Sequence, residues 1–142
     1  MTITILTPEK TLLSEEAQEI SLPTPQGEIT ILPGHIGLVT QIADGEVRVK
    51  TKNKTQFFAV TSGFAQMQEN ILTLLADYAV RSEDINTQKV LEAKKRAEEQ
   101  LKKQKENLSE RDFAAAQAEM RRAILELKVS SKRRNRTTLP GQ

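Results

Sequence analysis

The sequence predicts an α+β chain, an N-terminal antiparallel β-sandwich followed by a C-terminal two-helix antiparallel hairpin. Three observations carry this prediction. Five of the six Gly and four of the five Pro precede residue 64, and neither type occurs from Phe64 to Leu139, so turn chemistry is confined to the front of the chain. The hydrophobic pattern changes from period two to steps of three and four across residues 76–89 (ADYAVRSEDINTQK). The charge changes at the same seam: residues 1–84 carry 6 Lys+Arg against 11 Asp+Glu, net −5, and residues 85–142 carry 15 against 8, net +7. The expected division is a sandwich over residues 1–84, a hairpin over 85–132 and a basic, disordered tail over 133–142.

In the front part, short alternating runs are separated by turn residues. TITIL (2–6) ends at Pro8, and EISLP (19–23) ends at Pro25 to Gly27. EITIL (28–32) meets Pro33 and Gly34. LVTQI (38–42) is followed by Asp44 and Gly45, EVRVK (46–50) by a turn near Asn53, and then come QFFAV (56–60), FAQMQ (64–68) and ILTLL (71–75). Strand and turn signals recurring every ~8–12 residues belong to antiparallel sandwiches or barrels rather than to βαβ units.

The tract GEITILPGHIGLVT (27–40) is the most distinctive piece of this half. Pro33 fixes φ and Gly34 tolerates positive φ, so the chain turns sharply and presents His35 at a loop tip. His35 is the single histidine. Metal binding or nucleophilic catalysis needs a second ligand or an oriented nucleophile beside it, so His35 reads as a residue that packs or hydrogen-bonds in a loop or interface.

In the rear part Asn86 is the expected N-cap, with Asp84 competing. Val90, Ala93, Ala97, Leu101 and Leu108 follow at helical steps, with Gln104 as a polar break. In NLSERD (107–112), Ser109 and Asp112 form a capping-box variant that restarts a helix. The second helix places Phe113, Ala116, Met120, Ala123, Ile124 and Leu127 on one side. Two helices of about 20 residues, each roughly 30 Å long, make a hairpin, although the residues alone also permit one continuous helix of about 45.

Composition excludes several classes. Without Cys there is no disulfide or thiolate chemistry. No apolar run approaches the ~18 residues of a membrane span, so the chain is expected to be soluble and to reach a membrane only through a partner. The phosphate-loop, dinucleotide, zincin and hydrolase-elbow motifs are missing, so no catalytic residue, metal or cofactor is expected and the chain is not read as an enzyme. Two other readings compete. Lys132, Arg133, Arg134 and Arg136 suit a nucleic-acid arm, against which stand the acidic front half and the scarcity of aromatics for stacking. A coiled-coil adaptor would dimerise through its helices, against which stand Gln104 and the short stripe.

Taken together, GEITILPGHIGLVT (27–40), AVTSGFAQM (59–67), LTLLADYAVRSEDIN (72–86) and KKRAEEQL (94–101) resemble, in unbroken order over residues 1–130, the epsilon subunit of bacterial F-type ATP synthase. The resemblance implies a non-catalytic central-stalk subunit that couples gamma to the c-ring for ion-driven ATP synthesis and proton transport. It implies gamma and c-ring contacts through the sandwich, and contacts with the alpha and beta catalytic subunits through the helices, where ATP hydrolysis is inhibited. It further implies peripheral attachment at the cytoplasmic side of the plasma membrane, no nucleic-acid partner and no homo-oligomer. Glu28 and His35 map onto the loop region that faces the c-ring, and Arg121, Arg122 and Lys128 belong to the inhibitory second helix. Members that bind regulatory ATP carry a motif of the form Ile-Asp-x-x-Arg-Ala. Here Asn86, Lys89 and Val90 replace its Asp, Arg and Ala, and Lys89 lacks the planar fork that grips phosphate, so no cofactor is expected.

Overall fold

The structure, a computed structural model, describes residues 1–103 and 110–138. The chain divides between Glu83 and Asp84 into two compact units.

The first unit begins with β1 (Thr2–Leu6), β2 (Thr11–Glu16), β3 (Glu19–Thr24), β4 (Gly27–Ile31) and β5 (Leu38–Ile42). It continues with β6 (Gly45–Lys50), β7 (Thr55–Val60), β8 (Gly63–Gln68), β9 (Ile71–Ala76) and β10 (Ala79–Arg81). Two five-stranded sheets result, ordered β2-β1-β9-β8-β5 and β10-β7-β6-β3-β4. All neighbours pair antiparallel except β1 and β9, which run parallel from Thr2 opposite Ile71 to Leu6 opposite Leu75. Alternation sends Ile3, Ile5, Leu72, Leu74 and Met67 inward from one sheet, and Ile20, Leu22, Val47, Val49 and Phe58 inward from the other; all are buried. The sandwich therefore closes a core within the first unit.

Two strands have no counterpart among the predicted ones. TLLSEE (β2) sends only Leu13 fully into the core, opposite Ile5, because the other inward position, opposite Ile3, is Glu15. β10 is three residues long and exists because the free edge of β7 accepts it from Ala79 to Arg81. Arg81 ties this strand down: its guanidinium donates to Gln56 Oε1 and lies 5.4 Å over the Phe58 ring, while Gln56 Nε2 donates to Glu15 on β2. The bond from Gln56 to Glu15 links the two sheets.

After a 3-10 turn at Ser82–Asp84 come α1 (Thr87–Lys103) and α2 (Glu110–Thr138). Asn86 caps α1 as predicted, accepting at Oδ1 from the Lys89 amide at 3.2 Å. Thr87, at the start of α1, and Ser130, late in α2, bring their hydroxyl oxygens to 3.0 Å, so the helices run antiparallel as a hairpin and not as one rod. Val90 and Ala97 are buried in the predicted stripe, and Ala93 and Leu101 are half-buried. On α2 the buried face is rotated from the predicted one: Ala116, Ala123, Leu125, Val129 and Ser130 are buried, whereas Phe113 and Ile124 are 42% and 48% exposed. Small side chains win the inner positions because they let the helix backbones approach closely. The predicted restart at Ser109, with Gln104 and Leu108, lies outside the described residues; α2 is helical from Glu110, with Glu110 and Asp112 in its first turn, where acidic groups suit the helix dipole. α2 also runs to Thr138, past residue 132, because no Gly or Pro interrupts it before Pro140.

Candidate partner-docking surface

An antiparallel sheet with one wet face ordinarily carries polar side chains there. The sheet β2-β1-β9-β8-β5 departs from this rule. Its outward positions are Val39 and Gln41 on β5, Phe64, Gln66 and Gln68 on β8, Ile71, Thr73 and Leu75 on β9, and Thr2, Thr4 and Leu6 on β1. Val39 is 71% exposed, Phe64 59%, Leu75 53% and Ile71 48%. Register sets Phe64 opposite Leu75 and Leu75 opposite Leu6, so three apolar side chains adjoin across β8, β9 and β1, with Gln41 and Thr11 at the two ends of the row. At that end a cavity of about 360 Å³ is lined by Leu6, Pro8, Gly63, Phe64, Leu75 and Asp77, among others. The strands β1, β5, β8 and β9 contain no charged residue at all. Uncharged, and with Val39, Phe64, Ile71 and Leu75 exposed among Gln and Thr, this face has the character of an interaction surface.

At the opposite end of the same strands, the 32–37 loop adds Leu32 (53% exposed) and Ile36 (80%). Its shape follows from Gly34, which sits at φ 81°. The Gly34 amide donates to Asn70 Oδ1 at 3.0 Å and the His35 amide to the Leu32 carbonyl at 3.1 Å. Asn70, itself at φ 64° in the β8–β9 turn, accepts from the Thr2 amide at 3.0 Å through its own carbonyl. One residue thus binds the loop, the turn and β1 together. His35 is exposed on this loop, with Nδ1 2.8 Å from the Ile36 carbonyl oxygen.

Glu28 does not share that loop. It stands near the start of β4, 3.5 Å from Arg48 on β6, and the strand separates it from His35. Arg48 also donates to Ser21 Oγ at 3.0 Å. The pair is exposed to water on both sides, so it contributes little to stability.

Arg121, Arg122 and Lys128 are exposed on α2. Helical geometry puts Arg121, Ile124 and Lys128 on one outward stripe and turns Arg122 about 100° away. Arg121, Met120 and Ile124 border a groove along the hairpin together with Leu101 of α1. The sequence-predicted residues are therefore not gathered into one site: His35 lies on the exposed 32–37 loop, Glu28 on an edge strand, and the basic residues on the hairpin. Val39, Phe64, Ile71, Leu75, Leu32 and Ile36 were not singled out from the sequence. For Val39, Ile71 and Leu75 the signal is apolar residues on both parities of LVTQI and ILTLL, which marks strands covered on both faces. Among the described residues no group of acidic or His side chains is arranged to hold a metal ion, and no helix is long and apolar enough to cross a membrane.

Comparison with known proteins agrees with this architecture. Residues 1–82 match the family model described as the beta-sandwich domain of the ATP synthase delta/epsilon chain, and residues 83–131 match that family's long alpha-helix domain. The chain is 38% identical over 125 residues to the ATP synthase epsilon chain of Nitratidesulfovibrio vulgaris, covering 88% of this chain and 91% of that one. It is also 38% identical over 129 residues to the ATP synthase epsilon chain of Janthinobacterium sp., covering 89% and 90%. A chain in the cryo-EM structure of the Euglena gracilis mitochondrial ATP synthase shares the fold at TM-score 0.66 and 23% identity, over 91% of this chain and 79% of that one. One from the Tetrahymena thermophila mitochondrial ATP synthase does so at TM-score 0.57 and 18% identity, over 91% and 95%. With a sandwich, a helical pair and near-full-length relatives all in agreement, the chain belongs to the ATP synthase epsilon chain family.

Proposed function

We propose that this chain is a non-catalytic central-stalk subunit of an F-type ATP synthase that couples gamma to the c-ring during ion-driven ATP synthesis and restrains ATP hydrolysis through its helices. The observation that carries the reading is the charge-free outer face of β1, β9, β8 and β5, with Val39, Phe64, Ile71 and Leu75 exposed on it. Buried against a partner, such side chains contribute about 25 cal/mol per Å² of apolar area, and large apolar anchors dominate interfaces of this kind. The 38% identical epsilon chains support the assignment, and the structural relatives come from assemblies described as containing the c-ring and, in one case, the central stalk.

In this reading residues 1–84 are the anchor, docking gamma and the c-ring, and the whole assembly holds the chain at the cytoplasmic side of the plasma membrane. Residues 85–132 are the brake, followed by the basic 133–142 segment. Among the described residues, half of the buried apolar positions of the two helices are Ala (Ala97, Ala116 and Ala123, beside Val90, Leu125 and Val129), which bury little area each. A thin seam costs few kcal/mol to open, so a second packing of the same helices is energetically accessible. The outward Arg121 and Lys128 then meet acidic surfaces of the alpha and beta subunits, in contacts that salt weakens.

The test is ATP hydrolysis by the cognate alpha-beta-gamma complex, titrated with the full chain and with a truncation ending at Asn86 that retains the sandwich core. Binding of both with inhibition by the full chain alone is expected. Binding of both without inhibition removes the brake and leaves the coupling role; failure of both to bind refutes the reading.

A further inference from the structure

β2 is the edge strand of one sheet and β10 of the other. Little packing holds β10: it pairs with β7 only from Ala79 opposite Val60 to Arg81 opposite Phe58, and of its side chains Ala79 alone enters the core. So short an edge strand frays easily unless something else fastens it. The fastening here is polar. Gln56, 6% exposed on β7, stands between two opposite charges: its Oε1 accepts from the Arg81 guanidinium and its Nε2 donates to Glu15 Oε1 on β2. The charges fix the carboxamide's orientation, since a flipped amide would set donor against donor and oxygen against oxygen. The guanidinium is seated as well over the Phe58 ring, 5.4 Å from its centroid. Arg81 ends β10, residues 82–86 lead from it to the start of α1 at Thr87, and the division between the two units falls within that connection.

We propose that Arg81, Gln56 and Glu15 act together as a clasp that keeps β10 in the sandwich and so confines the pivot between the two units to residues 82–86. With the clasp broken, β10 opens from β7 far more readily and its three residues join the connection, which at ~3.3 Å per residue lengthens it by about 10 Å. Arg81 is thus a positioning residue that sets where the tether of the helical unit begins. All three side chains belong to the first unit, so the clasp holds whether or not the sandwich docks as proposed above.

The measurement is residue-by-residue amide hydrogen exchange by NMR on the full chain, for wild type, Arg81→Met, Gln56→Leu and the double variant. Met keeps an unbranched stem over Phe58 and Leu keeps most of the buried volume of Gln56, so each removes a polar partner with little loss of packing. Losing a hydrogen bond to a charged group is expected to speed exchange between β10 and β7 about tenfold to a hundredfold, with the β1–β9 pairing unchanged. Because the three side chains form one network, the double variant is expected to exchange no faster than the faster single variant, whereas independent effects would multiply. Unchanged β10 exchange in Arg81→Met, equal acceleration through β1–β9, or a double variant showing the product of the single effects each overturns the proposal. Should Gln56→Leu fail to fold, Arg81→Met against wild type still decides it.

Discussion

Gly63 opens β8 directly opposite Ala76 of β9. A Cβ built on it would lie 1.9 Å from the Leu75 carbonyl oxygen, 2.8 Å from the Leu75 carbonyl carbon and 2.9 Å from the Ala76 Cα. All three are backbone atoms, so no side chain can swing aside, and β9 would have to retreat by about 1.5 Å to restore ordinary contact. That retreat strains the pairing of Gly63 with Ala76 and the adjoining bond from the Asp77 amide to the Ser62 carbonyl at 3.2 Å. Overpacking costs ~1–3 kcal/mol, and a weakened backbone bond adds about 1. Restricting the unfolded chain returns ~0.4–1 kcal/mol. Gly63→Ala is therefore expected to destabilise the sandwich by about 2 kcal/mol, a fall in Tm of ~8–16 °C for a unit of this size. The chain has one Tyr and no Trp, and Tyr78 lies in the sandwich, so urea unfolding followed by tyrosine emission reports on this unit rather than on the helices. Gly37→Ala is the control: its Cβ would meet only the Met67 carbonyl oxygen, at 3.7 Å, and stability should be unchanged or slightly raised. A Gly63→Ala midpoint within about 0.5 kcal/mol of wild type, the spread of ordinary surface substitutions, would refute the steric argument.

Three further outcomes are expected. Phe64→Asp, at a position 59% exposed, should leave unfolding within about 0.5 kcal/mol of wild type while weakening binding to the gamma–c-ring complex at least about 30-fold, as loss of a central apolar anchor does; unchanged binding in a titration would show that this row does not dock. Asn86→Ala removes the cap on α1 and should cost about 1 kcal/mol, visible as reduced helicity by circular dichroism with unaltered tyrosine emission. The Thr2 hydroxyl, donating to Glu16 at 2.9 Å, and then the positive chain terminus hold the Glu16 carboxyl below its ordinary value. The small stability this lends is present above the ordinary carboxylate range and fades as pH falls through the depressed value. Thr2→Val should move the Glu16 titration, followed by NMR, back upward.

The local features were legible because each is decided within a few residues. Pro33 and Gly34 turn the chain wherever it is placed, Asn86 caps the helix that follows it, and period-two runs such as EVRVK become strands in any sandwich. The resemblance in residues 27–40 and 72–86 likewise pointed to the family from the residues alone. The candidate surface was legible only in part: His35 drew notice because it is the single histidine, while Phe64, Ile71 and Leu75 stood unremarked inside their strand runs. What the sequence by itself determined, then, was the two-part architecture, the turns and the family. Only the tertiary structure decided that β1 lies parallel to β9, that the edges of β1 and β7 recruit β2 and β10, that Leu125 and Val129 take buried places on α2 while Phe113 and Ile124 are exposed, and that one charge-free face of the sandwich exposes Val39, Phe64, Ile71 and Leu75. Those outcomes depend on which strand edges and faces meet across long stretches of chain, and periodicity records how a segment alternates, not what lies against either side of it.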